Sequence, residues 1–339
     1  MRMLTILAAV AAIGLITPFA LAQDTKKSEK DERKTESKKD EKNAKEGKED
    51  SKVDRGDKKA EDLFKRAYIR VYSAESKGLT KLHAGSDISV DATAMGFGEM
   101  PFEGEVFWKS GGHAIWKSTQ EEDGGSTNPL GNLSNIAKGL FEPYLGYVTG
   151  FESWDVRFKK ASFAFGDPVM DEKDKKKEVA KTIVVTYIDS DRKKETFTVT
   201  ENQVKTMAHE TELQGQKAEV TFSYTYEDKG KFLRLASVSA ETEVDMSGLP
   251  GNEPDPKNPV PKGDTKQKLT GEIKVTKYGK VGEFELALEM EATLKFNMMG
   301  QEMSFPATLA LSDSKINDDV KDEDFPEEAK PEKSDDDEF

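Results

Sequence analysis

Residues 280–313 carry the clearest pattern in the chain. Phe284, Leu286, Leu288, Met290, Ala292, Leu294, Phe296 and Met298 fall on every second position, and the residues between them are mostly Glu, Lys, Thr and Asn. Period two places the apolar set on one face of a β-strand and the polar set on the other. Met299-Gly300 interrupts the alternation, and glycine supplies the positive φ that a tight turn needs. Alternation resumes with Met303, Phe305, Ala307, Leu309 and Leu311. The pattern predicts a long hairpin with one wet face and one apolar face.

Similar but shorter patterns precede it. Ile88, Val90, Ala92 and Ala94 alternate, and residues 102–108 and 113–118 read as two strands turned at Gly111-Gly112. Trp154, Val156 and Phe158 alternate, with Phe163 and Phe165 just beyond. Residues 179–188 and 196–200 form a predicted hairpin. Ala218, Val220, Phe222, Tyr224 and Tyr226 alternate up to a turn at Asp228-Lys229-Gly230, which leads into a strand over 232–244. A Pro-rich loop over 249–264 separates this strand from one over 269–278.

Two stretches change to helical spacing. Ala60, Leu63, Phe64, Ala67 and Val71 recur at three and four residues behind Asp57, a good N-cap. Leu130, Leu133, Ile136, Ala137, Leu140 and Phe141 do the same behind Asn128-Pro129, and Pro143 stops that helix near Glu142. The aromatic, glycine-broken connection after it, with Tyr144, Tyr147, Phe151 and Trp154, fits either a flap over a cavity or a connection packed on the sheet.

These elements make the fold class α+β and mainly β: one large curved antiparallel sheet of about 10–11 strands, an incomplete β-barrel, with one or two helices on its concave side. A sheet wrapped around helices can hold a cavity between the two layers. The inward candidates for its lining are Phe222, Tyr224, Phe284, Leu288, Met290, Leu294, Phe296, Met298 and Phe305. Met290, Met298, Met299 and Met303 all lie in the last hairpin, and methionine adapts to varied apolar partners as readily as it fills an irregular core.

The ends of the chain have a different character. Residues 1–22 have the pattern of a secretory signal peptide: Arg2, an apolar run over 4–16, and Ala20-Leu21-Ala22 as a small-x-small cleavage site. This predicts export across the inner membrane to the periplasm or cell envelope. No later stretch is long and apolar enough to span a bilayer. Residues 23–58 are a predicted disordered, charged leader, residues 59–325 the folded domain, and residues 326–339 a disordered acidic tail. Over 313–339 there are 13 acidic and 4 basic residues, a net of −9 within a whole-chain net charge of −14. The acidity argues against a nucleic-acid partner, which requires a basic footprint. Asp318, Asp319, Asp322, Glu323 and Asp324 lack the Gly turn and closing Glu of an EF-hand loop, so no metal is expected there.

Catalytic constellations are not legible. The chain has no cysteine, which excludes thiol nucleophiles and disulfides, and His83, His113 and His209 have no metal-ligand spacing. No catalytic residue and no cofactor are expected.

Residues 266–326 resemble the lipoprotein-carrier family, the LolA/LolB-like outer-membrane lipoprotein-sorting proteins. The resemblance rests on Tyr278-Gly279-Lys280-Val281-Gly282 ahead of a long strand, Gly300-Gln301-Glu302-Met303, and a closing series Ser314-Lys315-Ile316-Asn317-Asp318-Asp319 then Asp324-Phe325-Pro326. It implies a half-barrel with helices on its concave side, and a non-enzymatic carrier whose partners are a lipid acyl chain or a lipoprotein, envelope proteins and transient membrane contact. The chain also fits an envelope interaction or scaffold protein with a fully packed core and no ligand. A hydrolase with an unrecognised site is a weaker alternative.

Deleting residues 23–53 should leave the melting temperature of the mature chain nearly unchanged, because so charged a segment buries too little apolar area to stabilise the fold. A large drop in a calorimetric scan would show that the leader packs on the domain.

Overall fold

The computed structural model describes residues 54–93, 96, 98–111, 114–119, 138, 141–142, 144–188, 194–213, 216–245, 266–298 and 301–326. Among these, 13 strands form one antiparallel sheet. They are β1 (Lys81–Asp91), β2 (Glu99–Lys109), β3 (Ala114–Ser118), β4 (Ala161–Phe165), β5 (Val169–Met170), β6 (Glu178–Tyr187), β7 (Lys194–Val199), β8 (Val204–Leu213), β9 (Gln216–Asp228), β10 (Leu233–Asp245), β11 (Lys266–Val281), β12 (Phe284–Met298) and β13 (Gln301–Ile316). The order across the sheet is β3-β2-β1-β13-β12-β11-β10-β9-β8-β7-β6-β4, with β5 beside β6. From β6 to β13 the chain meanders, and β13 then closes on β1.

The last hairpin is β12–β13, paired from Glu289↔Ala310 to Met298↔Gln301. Its turn, Met299-Gly300, lies outside the described residues, as do the leader up to residue 53, the Pro-rich loop and all but residues 138 and 141–142 of the second helix. Three strands exceed or sharpen the count expected from alternation. β8 and the two-residue β5 are not foreseen by it, and β4 stands apart from the residues before Phe163. The strand expected from Trp154, Val156 and Phe158 is instead a one-turn helix, α2 (Trp154–Arg157). Ser153 caps it by accepting from the Val156 amide, which turns the apolar pair Trp154 and Phe158 inward and leaves Val156 exposed.

Helix α1 (Lys58–Tyr68) crosses the concave side, capped by Asp57 through the Lys59 and Ala60 amides. Its length is roughly 16 Å, and the chain is anchored to the sheet at both of its ends. Asp57 N–H donates to Phe163 O of β4 at one end, while Tyr72 N–H donates to Leu233 O of β10 beyond the other. Residues 72–74 then pair on their far side with the second concave segment: Phe151 N–H donates to Tyr72 O, and Ala74 N–H to Thr149 O. The Tyr68 hydroxyl, at the end of α1, donates to Glu152 O. Residues 144–158 therefore cover the sheet by hanging from α1 and the strip after it. The core between these layers is dense with rings. Phe64 alone has ring contacts with Tyr68, Trp154, Phe158, Phe163 and Phe197 at 4.6–6.1 Å.

The acidic stretch that starts at residue 313 belongs to the fold as far as Pro326. Residues 313–316 complete β13, and Val320 and Phe325 pack on Phe107 and Ile115 of the convex face. Asp322 sits between Lys109 and Lys81, at 3.1 and 3.2 Å, and these ammonium groups hold its carboxyl below the usual range.

Gly150 is the tightest point of the cover. Its φ of 85° and ψ of −151° suit glycine alone, and a Cβ there would lie 2.2 Å from Tyr72 O. Gly150→Ala should cost about 3 kcal/mol or more in urea unfolding. Gly230→Ala, also at positive φ but with open space around it, should cost about 1 kcal/mol. Equal costs would mean that the cover is not held against residue 72.

Candidate functional site

The inner face of the sheet is built in rows that cross the strands. One runs Met207, Phe222, Ala240, Gly271, Leu294, Phe305 over β8 to β13, each residue directly opposite the next. Period two makes every one of them inward, and the five side chains in the row are buried. Gly271 leaves room for the cover: the Tyr144 hydroxyl stands 2.5 Å from where a Cβ would be. The next row carries Tyr224, whose hydroxyl meets that of Tyr147 at 3.1 Å.

Of the nine residues expected to line this face, Phe222, Tyr224, Phe284, Met290, Leu294 and Phe305 are buried on it. Phe296 and Met298 occupy β12 positions opposite Leu269 and Gln301, and their side chains lie outside the described set. Leu288 departs from the alternation. Pairing between β11 and β12 slips from Lys277↔Glu289 to Tyr278↔Ala287, so Leu288 has no cross-strand partner on β11 and lies half-buried over Gly279.

The chemistry of the interior lies in residues that alternation alone does not flag. Tyr68, Tyr147, Phe151, Arg157, Phe197 and Tyr224 are among those surrounding a cavity of about 30 Å³. That is room for one or two water-sized groups, against the roughly 300–1,000 Å³ of a ligand pocket. Arg157, from α2, reaches into the core with 7% of its side chain exposed and meets Glu195 of β7 at 4%. Arg157 Nη2 donates to both Glu195 oxygens, at 2.8 and 2.9 Å, and lies 3.1 Å from Met207 Sδ. The Tyr187 hydroxyl donates to Glu195 Oε2 at 2.5 Å.

Burial alone would lower the pKa of the guanidinium. The Glu195 carboxylate opposes this, followed by Tyr187, Tyr68 and Glu152, and the balance keeps Arg157 above its ordinary value and fully charged. Burial raises Tyr68 and Tyr224 well above the usual phenol range, so both enter the cavity as neutral hydroxyls. A signal for Glu195 is present in the sequence: it shares the phase of Phe197 and Val199, the buried phase of β7. Arg157 could be found only by preferring Ser153 as a helix cap over the alternation of Trp154, Val156 and Phe158.

A second carboxylate works at the rim. Glu75 accepts from the Ser153 amide at 2.5 Å, from the Gly111 amide at 3.0 Å and from the Ser110 hydroxyl. It ties the start of α2 to the β2–β3 turn. Among the described residues no group of His, Asp and Glu is arranged to hold a metal, and no helix is long and apolar enough to cross a membrane.

No protein-family model and no curated protein matches the sequence. Solved structures similar in fold include a LolA superfamily protein from Nitrosomonas europaea (11% identity, 79% of this chain and 97% of that one, TM-score 0.32). A putative outer membrane lipoprotein-sorting protein domain from Vibrio parahaemolyticus has 9% identity over 78% of this chain and 95% of its own, TM-score 0.31. A DUF1329 family protein from Desulfovibrio piger has 8% identity over 80% and 98%, TM-score 0.30.

Removing one member of the buried pair strands the other charge. Arg157→Met and Glu195→Gln should each lower unfolding free energy by about 3–5 kcal/mol, whereas the double variant should fall within about 1 kcal/mol of the parent. Additive losses in a denaturant double-mutant cycle would show that the two groups do not act as a pair.

Proposed function

We propose that the chain is an exported, non-enzymatic carrier that takes an acyl chain, free or borne by a lipoprotein, between the concave face of the sheet and residues 144–158. The observation that carries this proposal is the form of the cover. Among the described residues, a continuous apolar face six strands wide is roofed by a short connection containing Gly146 and Gly150, not by a second sheet. The backbone bonds of that connection go to residues 72–74, so it can lift without opening a rung of the sheet. An acyl chain lying on the uncovered face would replace the buried contacts of Tyr144, Leu145 and Val148 with its own. At about 0.8 kcal/mol per buried CH₂, a C16 chain supplies enough to displace such a cover and still leave again. Export rests on the signal sequence.

The small size of the cavity favours a second reading, an envelope interaction protein whose core is simply full. Two measurements separate them. The mature chain purified from its native envelope should release fatty acyl species on extraction and mass spectrometry, and should bind cis-parinaric acid saturably at one or two molecules per chain. Absence of both leaves the filled-core protein as the better account.

A further inference from the structure

The cavity beside Arg157 says what kind of head group an acyl ligand should carry. Its polar lining consists of Arg157, three tyrosines, Thr149 and two carboxylates, Glu75 and Glu152. Most of these groups are already committed. Glu75 accepts from Ser153, Gly111 and Ser110, Thr149 donates to Gly146 O, and the Tyr68 hydroxyl donates to the backbone oxygen of Glu152, whose carboxylate, like the Tyr68 oxygen, faces the Arg157 guanidinium. Arg157 keeps donors that Glu195 does not engage. Arg157 has five N–H groups, and Glu195 engages only those on Nη2. Nε points to the Tyr187 oxygen at a long 3.4 Å, and Nη1 has no carboxylate partner among the described residues. Tyr224 donates at best to Met207 Sδ at 3.9 Å or shares a proton with Tyr147. Tyr224 also begins the apolar face, one row from Phe222 and Leu294. A charged donor thus sits at one end of a greasy track.

We infer that Arg157, with the Tyr224 hydroxyl, receives the anionic head of a single-chain amphiphile whose alkyl tail runs over Phe222 toward Leu294 and Phe305. This rests on the carrier proposal and sharpens it: the ligand is an acid, and a neutral ester of the same chain is a poor substitute. A carboxylate or phosphate monoester accepts from Nη1 and the phenol while Glu195 keeps Nη2, so the guanidinium is shared between two anions as arginine's fork allows. The head needs no more than the space already present beside Arg157. The tail requires residues 144–150 to lift, while α2 stays on β7.

The test compares cis-parinaric acid with its methyl ester on the mature chain, at a pH where the acid is ionised, by fluorescence titration. The acid should bind at least about tenfold more tightly, the effect of one charge-assisted hydrogen bond. The double variant Arg157→Met/Glu195→Gln, which removes both charges together, should bind acid and ester equally, with its melting curve confirming that it is folded. Hexadecyl phosphate and inorganic phosphate as competitors distinguish an amphiphile from a free anion: only the former should displace the probe. Equal binding of acid and ester to the parent overturns the assignment of the head group and leaves the carrier intact. A preference that survives in the double variant overturns the role of Arg157. Binding of neither probe removes the carrier proposal itself.

Discussion

A single antiparallel sheet this wide has one face that must be kept from water and no second sheet to do it. Every other feature of the fold answers that constraint. The meander from β6 to β13 lays the apolar phases of successive strands edge to edge, and the closure of β13 on β1 curls them inward. Helix α1 and residues 144–158 then fill the hollow. Neither is held by sheet ladders. Helix α1 is anchored at its ends, to Phe163 and Leu233, and the cover is anchored to residues 72–74. The concave layer is therefore a dependent structure: loosening the strip at residues 70–75 releases the cover, whereas loosening the cover leaves the sheet paired.

Under that constraint the Arg157–Glu195 pair has a clear mechanical role. A one-turn helix is far below the length at which helices stand alone, so α2 owes its position to tertiary contacts. Trp154 and Phe158 supply area, which is not directional. The ion pair and the Tyr187 hydroxyl are directional, and they set how α2 sits over β7. Apolar residues of equal volume would stabilise the site about as well, which makes placement a better account of the pair than stability.

The sheet is legible in the sequence because it is repetitive. Strict alternation from Phe284 to Met298 has one geometric meaning, and the turns at Asp228-Lys229-Gly230 and Gly282 carry the residues those backbones require. Legibility fails where a local rule competes with periodicity. Ser153 starts a helix, and three alternating apolar residues after it look the same in a strand. Strand β8 escapes notice because its inward phase includes His209 and Thr211, so its two faces differ little in polarity. Leu288 fits the alternation, yet the slip in pairing that removes it from the row belongs to β11 as much as to β12. The packing of Phe325 on the convex face is hidden by the acidic residues around it, whose partners Lys81 and Lys109 are more than 200 positions away. The apolar half of the candidate site can be listed from sequence, and its charged half cannot, since only the three-dimensional packing of α2 against β7 brings Arg157 to Glu195.

Filling a core and binding an acyl chain ask for the same side chains, so the apolar face cannot by itself decide between them. Polar groups inside it can. A core selected only to be full gains nothing from donors directed at a small void: each carries a desolvation cost that aromatic carbon would avoid. Placing α2 explains the Nη2 bonds of Arg157, and holding Glu152 explains the Tyr68 hydroxyl. Tyr147 and Tyr224, whose hydroxyls meet at 3.1 Å, stand on the same cavity as the guanidinium. The proposed anionic amphiphile would draw on that guanidinium, which stands at the end of the apolar track beneath residues 144–150.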